Sequence, residues 1–68
     1  MKTIYEKLGL NMKRIRTEKG MSQGDIARAL DVDKGYISYI ESGKKNPTLA
    51  TIARIAKVLR VTVSELTK

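Results

Sequence analysis

The stretch Ser22-Gln23-Gly24-Asp25-Ile26-Ala27-Arg28-Ala29-Leu30-Asp31-Val32-Asp33-Lys34-Gly35-Tyr36-Ile37-Ser38-Tyr39-Ile40-Glu41 carries two short helical patterns with almost nothing between them. In the first, Ser22 is a good N-cap with Asp25 three residues on, and Ile26, Ala27 and Leu30 face inward. In the second, Asp33 is placed to cap a helix whose inward residues are Ile37 and Ile40. The connection, Leu30-Asp31-Val32-Asp33, is too short to return the chain antiparallel, but it can turn it sharply. Ala27 is small where two such helices cross. Asp31 sits where the turn needs a left-handed residue, a conformation that Asp tolerates better than most side chains. With Ile37 and Ile40 turned in, a 3.6-residue period turns Gly35, Ser38, Tyr39 and Ser42 out. Lys34 lies on the exposed first turn and Tyr36 at the edge of this polar face.

Upstream, Ile4, Leu8, Met12 and Ile15 form the stripe of another helix, opened by the capping box Thr3-x-x-Glu6 and closed at Gly20. Gly9 weakens its middle by about 1 kcal/mol relative to Ala. Downstream, the break from Gly43 to Pro47 precedes a helix that starts at Thr48, with the stripe Leu49, Ile52, Ile55, Ala56 and Leu59. A second capping box, Thr62-x-x-Glu65, opens a last short turn containing Val63 and Leu66. Apolar residues nowhere alternate at period two for long enough to make a strand, and there is no linker, low-complexity stretch or internal repeat. The expectation is an all-α, compact five-helix bundle containing a helix-turn-helix, with residues 1–68 as a single domain.

Composition narrows the chemistry. The chain has 68 residues, with 14 Lys+Arg against 7 Asp+Glu and a net charge of +7. A body this small buries only about 60% of its unfolded surface, enough for one modest core and no deep catalytic cavity. Cysteine and histidine are both absent, removing disulfides, thiolate chemistry, the commonest general base and the commonest transition-metal ligand. The carboxylates form no recognisable catalytic pair, so no enzyme activity, metal, cofactor or small-molecule ligand is expected. No apolar run approaches the roughly 20 residues that span a bilayer, and the start lacks a signal-peptide core, which points to the cytoplasm. So strong a positive charge favours nucleic acid or an anionic surface as partner.

In order and spacing, Ser22-Gln23-x-Asp25-Ile26-Ala27-x-x-Leu30-x-Val32, Tyr36-Ile37-Ser38-x-Ile40-Glu41-x-Gly43 and Asn46-Pro47-Thr48 resemble the Cro/cI-type (XRE-like) helix-turn-helix repressors. Ile15-Arg16-x-x-Lys19-Gly20 and Ala56-x-x-Leu59-x-Val61 extend the resemblance over nearly the whole chain. It implies that the second of the two central helices enters the DNA major groove. Lys34, Gly35, Ser38 and Tyr39 are then the base-facing residues. Lys34 can donate to guanine O6 and N7, Ser38 can donate or accept at base edges, and Tyr39 can donate or pack on a thymine methyl. Ser22, Gln23, Tyr36, Ser42, Lys44, Lys45 and Asn46 are the expected sugar-phosphate contacts, which position the protein without reading sequence. The resemblance also implies a partly buried ion pair between Arg16 and Glu41. Two positions depart from the family pattern: Asp31 replaces the more usual turn glycine, and Gly35 stands where many relatives carry a base-contacting side chain. Either DNA approaches the backbone closely at Gly35, or that position reads nothing.

The resemblance implies a sequence-specific transcriptional regulator, a repressor or autoregulator, that binds a pseudo-palindromic operator as a homodimer. The dimer surface is expected at Val61, Val63 and Leu66, unless those residues close the core of a monomer. Alternatives are the antitoxin of a toxin–antitoxin pair or a restriction–modification controller, the latter echoed by Lys34-x-Tyr36-Ile37-Ser38. The remaining cations, among them Lys2, Lys7, Arg54, Lys57 and Lys68, read as a general positive field.

Overall fold

A computed structural model describes residues 2–68. They form α1 (Ile4–Glu18), α2 (Gln23–Leu30), α3 (Lys34–Glu41), α4 (Leu49–Leu59) and α5 (Val63–Thr67), with no strand among them. Hydroxyl caps begin four of the five. The side chains of Thr3, Ser22, Thr48 and Thr62 each accept from the backbone N–H three residues on, and at α1, α2 and α5 an acidic side chain returns the bond. Asp33 is the exception. It occupies the cap position of α3 but makes no side-chain cap bond, so its expected capping role is corrected to one of backbone position alone.

Each of α1 to α4 ends in the same motif, a left-handed residue followed by an N–H that reaches back five positions. The left-handed residues are Gly20, Asp31, Gly43 and Arg60. The returning bonds are Met21 to Arg16, Val32 to Ala27, Lys44 to Tyr39 and Val61 to Ala56, at 2.9–3.0 Å. Asp31, at φ 58°, makes the turn that places α3 across α2.

The core is Leu8, Met12 and Ile15 from α1, Ile26, Ala27 and Leu30 from α2, Ile37 and Ile40 from α3, Ile52, Ile55, Ala56 and Leu59 from α4, and Leu66 from α5. Ile4 and Leu49, expected in the apolar stripes, are exposed instead. Each opens its helix, and a helical side chain tilts toward the N-terminus, so these two overhang the end of the bundle. Gly9 does more than weaken α1. A Cβ there would lie 2.4 Å from the Glu41 carbonyl oxygen and 2.6 Å from that of Ile40, so the glycine lets the end of α3 rest directly on α1.

At the C-terminal end, the Asn11 side chain donates to the carbonyls of Leu66 (2.8 Å) and Lys68 (3.2 Å), fastening α5 to α1. Leu66 is 0% exposed within its own chain, which corrects its expected place on a dimer surface. The Thr62–Glu65 cap sets the phase of α5, and that phase turns Leu66 inward. Val61 and Val63 are partly buried against the same core. No described helix is long and apolar enough to cross a membrane.

Candidate nucleic-acid interface

α3 presents two contrasting faces. Ile37 and Ile40 are wholly buried, while Lys34, Gly35, Ser38 and Tyr39 are exposed, Tyr39 to 55%. The helix is thus anchored by two large aliphatic side chains and offers a polar rod on the other side. Tyr36 lies between, packed against the edge of the core, with the Lys45 ammonium 5.9 Å from its ring centroid. That separation is within cation–π range and brings the loop after α3 alongside the rod. Ser42 Oγ donates to the Tyr39 carbonyl (2.9 Å), and Lys44 N–H donates to the same oxygen (3.0 Å). These bonds tie the exposed loop of Lys44, Lys45 and Asn46 to the end of the helix.

A polar latch holds the far end of α3. Glu41 accepts from Arg16 Nε at 2.7 Å and Nη2 at 2.9 Å, a bidentate pair whose side chains are 4% and 13% exposed respectively. Arg16 Nη1 also donates to the Met21 carbonyl (3.0 Å). Hydrogen bonding to the Glu41 carboxylate holds the Arg16 pKa above its ordinary value, outweighing the opposing effect of burial. Glu41 therefore joins α3 to α1, and Arg16 carries the latch on to the loop before α2.

Gln23 belongs to this latch too. Its Nε2 donates to Glu41 Oε1 at 3.0 Å. Since a carboxylate only accepts, the amide nitrogen must face Glu41, which fixes the orientation of the Gln23 side chain. Ser22 Oγ accepts from the Asp25 N–H (3.0 Å), and Asp25 Oδ2 accepts from the Ser22 N–H (2.8 Å). The backbone bond from Ser22 is the main cause holding the Asp25 pKa below its ordinary value.

Three participants escaped sequence reasoning. Arg54 is no free charge: its Nη2 donates to the Leu30 carbonyl (2.8 Å), bracing α4 against the carbonyl that opens the α2–α3 turn. Gly9 and Asn11 likewise act across the fold, on partners 25 or more positions away. Nothing local in the sequence marks such contacts. The Gln23–Glu41 bond had a partial signal in the motif that carries both residues.

Two short helices set across each other by a left-handed residue, the second buried on one side and bare on the other, define a helix-turn-helix. A family model described as Helix-turn-helix (HTH_3) matches residues 12–66, and the chain belongs to that family. It is 39% identical over 67 residues to the control protein C.MunI of a Mycoplasma species, covering 97% of this chain and 90% of that one. Among solved structures it is similar to the restriction–modification controller C.AhdI of Aeromonas hydrophila, with TM-score 0.85, 32% identity and coverage of 91% and 94%. It is also similar to the controller C.Esp1396I, solved as a tetramer in complex with its natural 35 base-pair operator. That likeness has TM-score 0.81, 33% identity and full coverage of both chains. Other relatives include an HTH-type transcriptional regulator of Sinorhizobium fredii (36% identical, covering 87% of this chain and 77% of that one) and a 10 kDa protein of the ImmF control region of Bacillus phage phi105 (36%, 90% and 68%).

Proposed function

We propose that the chain is a sequence-specific regulator of transcription that binds double-stranded DNA as a homodimer, with α3 in the major groove. The observation that carries this is the exposed face of Lys34, Gly35, Ser38 and Tyr39, backed by wholly buried Ile37 and Ile40. In the groove, Lys34 donates to guanine, while Ser38 and Tyr39 meet base edges. Gln23, its amide N–H directed by Glu41, joins Ser22, Tyr36, Ser42, Lys44, Lys45 and Asn46 along the sugar-phosphate strands. The role is one of binding, exercised in the cytoplasm by residues 1–68 as one domain.

Size supports the dimer. The body measures 31 × 21 × 20 Å, enough for one half-site but not for two whose centres lie about 34 Å apart. Val61 and Val63, partly exposed beside the α4–α5 turn, are the apolar residues left for the two-fold contact once Leu66 is assigned to the core. Two copies bring twice the +7 charge, so affinity falls steeply with salt through counterion release. Within this class, a restriction–modification controller is favoured by the end-to-end match to C.Esp1396I and the near-complete match to C.MunI.

Footprinting on the DNA upstream of the protein's own gene tests the proposal. Two protected half-sites about one helical turn apart are expected. Uniform protection regardless of sequence contradicts it, as does sedimentation that finds only a 7.6 kDa species with operator present.

A further inference from the structure

The chain has five glycines, and the fold accounts for three of them. Gly9 faces backbone at 2.4 Å, and Gly20 and Gly43 hold left-handed φ of 70° and 78°. Gly24 is half-buried, and a Cβ there would come within 3.3 Å of the end of the Arg28 side chain. Gly35 has no such account. Its φ lies outside the left-handed region, and a Cβ built on it meets nothing within 4 Å. Alanine would keep the same helix and reduce the freedom of the unfolded chain, so glycine weakens the free protein with no return inside it.

The position of Gly35 indicates where the return lies. Tyr39 shares its face one turn on, and helical side chains lean toward the N-terminus. Tyr39 is exposed, and the side-chain space at position 35 is empty. The helix surface at Gly35 is therefore bare, with Tyr39 exposed on the same face one turn on, and no side chain at position 35 offers a hydrogen bond. The base edges in the major groove present hydrogen-bond donors and acceptors and a single protruding apolar group, the thymine C5-methyl.

We propose that Gly35 and Tyr39 read thymine through that methyl, Gly35 by leaving the space and Tyr39 by supplying the apolar wall. A Cβ at position 35 would stand where the methyl goes. The inference rests on the placing of α3 in the major groove proposed above.

The probe is a duplex enriched from a random pool by the wild-type protein, together with replicas in which deoxyuridine replaces one thymidine at a time. Deoxyuridine lacks only the methyl. The wild type should lose about fourfold in affinity at one thymidine per half-site, the worth of one buried methyl, and little at the others. Gly35→Ala should bind the parent duplex at least as weakly as the wild type binds that replica and should no longer distinguish the two bases there. Its melting temperature should match or exceed the wild type's, which separates the effect from misfolding. Tyr39→Ala should also lose the distinction, and Gly24→Ala should keep it. Indifference of the wild type to deoxyuridine at every thymidine, or a Gly35→Ala protein that still distinguishes them, overturns the inference while leaving DNA binding intact. Failure to enrich any sequence overturns the DNA-binding proposal itself, and the inference with it.

Discussion

The chain makes one turn twice. Ala27-Arg28-Ala29-Leu30-Asp31-Val32 leads from α2 to α3, and Ala56-Lys57-Val58-Leu59-Arg60-Val61 leads from α4 to α5. In both, the alanine and leucine are buried, the left-handed residue has φ of 58° or 59°, and the valine N–H donates to the alanine carbonyl at 3.0 Å. The helices that leave these two turns are secured differently. Thr62 and Glu65 cap the start of α5 reciprocally, whereas Asp33 forms no cap bond at the start of α3. α3 is held at its other end, where Glu41 grips Arg16 and Gln23, and its turn is braced from α4 by Arg54. α5 thus combines a local cap at its start with the Asn11 bonds at its end. A helix offered to a partner needs its angle fixed by distant contacts, and its first turn is left open.

The largest test of this contrast is Glu41→Ala. It strands the Arg16 charge in a nearly dry site and should cost about 3–5 kcal/mol in urea denaturation. Next comes Thr62→Ala, which removes the local cap of α5 and should cost about 1 kcal/mol, while Asp33→Ala should change stability little. Equal losses from Thr62→Ala and Asp33→Ala would erase the distinction between the two helix starts. Smaller again, Arg60→Gly and Asp31→Gly each relieve a left-handed side chain and should raise the melting temperature by an amount worth about 0.5–1 kcal/mol. The gain should be larger at Arg60, because Asp tolerates the conformation better. A fall at either site would mean that the side chain contributes something the turn geometry does not require.

The weakest effect is acidic. The carboxyls of Glu6, Asp25 and Glu65 all have pKa values held below their ordinary range, chiefly by backbone N–H bonds from Thr3, Ser22 and Thr62. A depressed carboxylate stabilises the fold above its unfolded pKa and loses that contribution as pH falls through the folded value. Thermal melts should therefore drop as pH falls below about 4.5, the ordinary value for the two glutamates. Thr62→Ala should flatten part of that drop.

Much of the fold was legible because it is written in short-range patterns. Hydroxyl caps, three-to-four-residue apolar spacing and the tolerance of Asp31 for a left-handed turn each act within a few residues. The polar face of α3 could be read as the complement of Ile37 and Ile40. Contacts made across the fold could not. Gly9 reads locally as a weak point in a helix, yet the Glu41 carbonyl lies against it. Arg54 reads locally as one charge of a general positive field, and Leu66 as part of a dimer surface. For all three, the deciding neighbour lies on another helix, and amphipathic spacing does not specify which helices meet. Ile4 and Leu49 show the same limit in reverse, since a stripe does not tell how far along a helix its partner extends. The resemblance supplied the Arg16–Glu41 pair, which charge spacing by itself would not have selected among 14 cations and 7 acids.

The most direct test of the central claim is an amide-shift titration of the uniformly labelled protein with an enriched duplex. The first turn's helix should respond more strongly than the second's. The largest changes should fall on Lys34, Gly35, Ser38 and Tyr39, then on Gln23 and residues 44–46, with smaller ones at the two-fold contact around Val61 and Val63. Shifts centred on the α4–α5 turn, with α3 unmoved at saturation, would contradict the account.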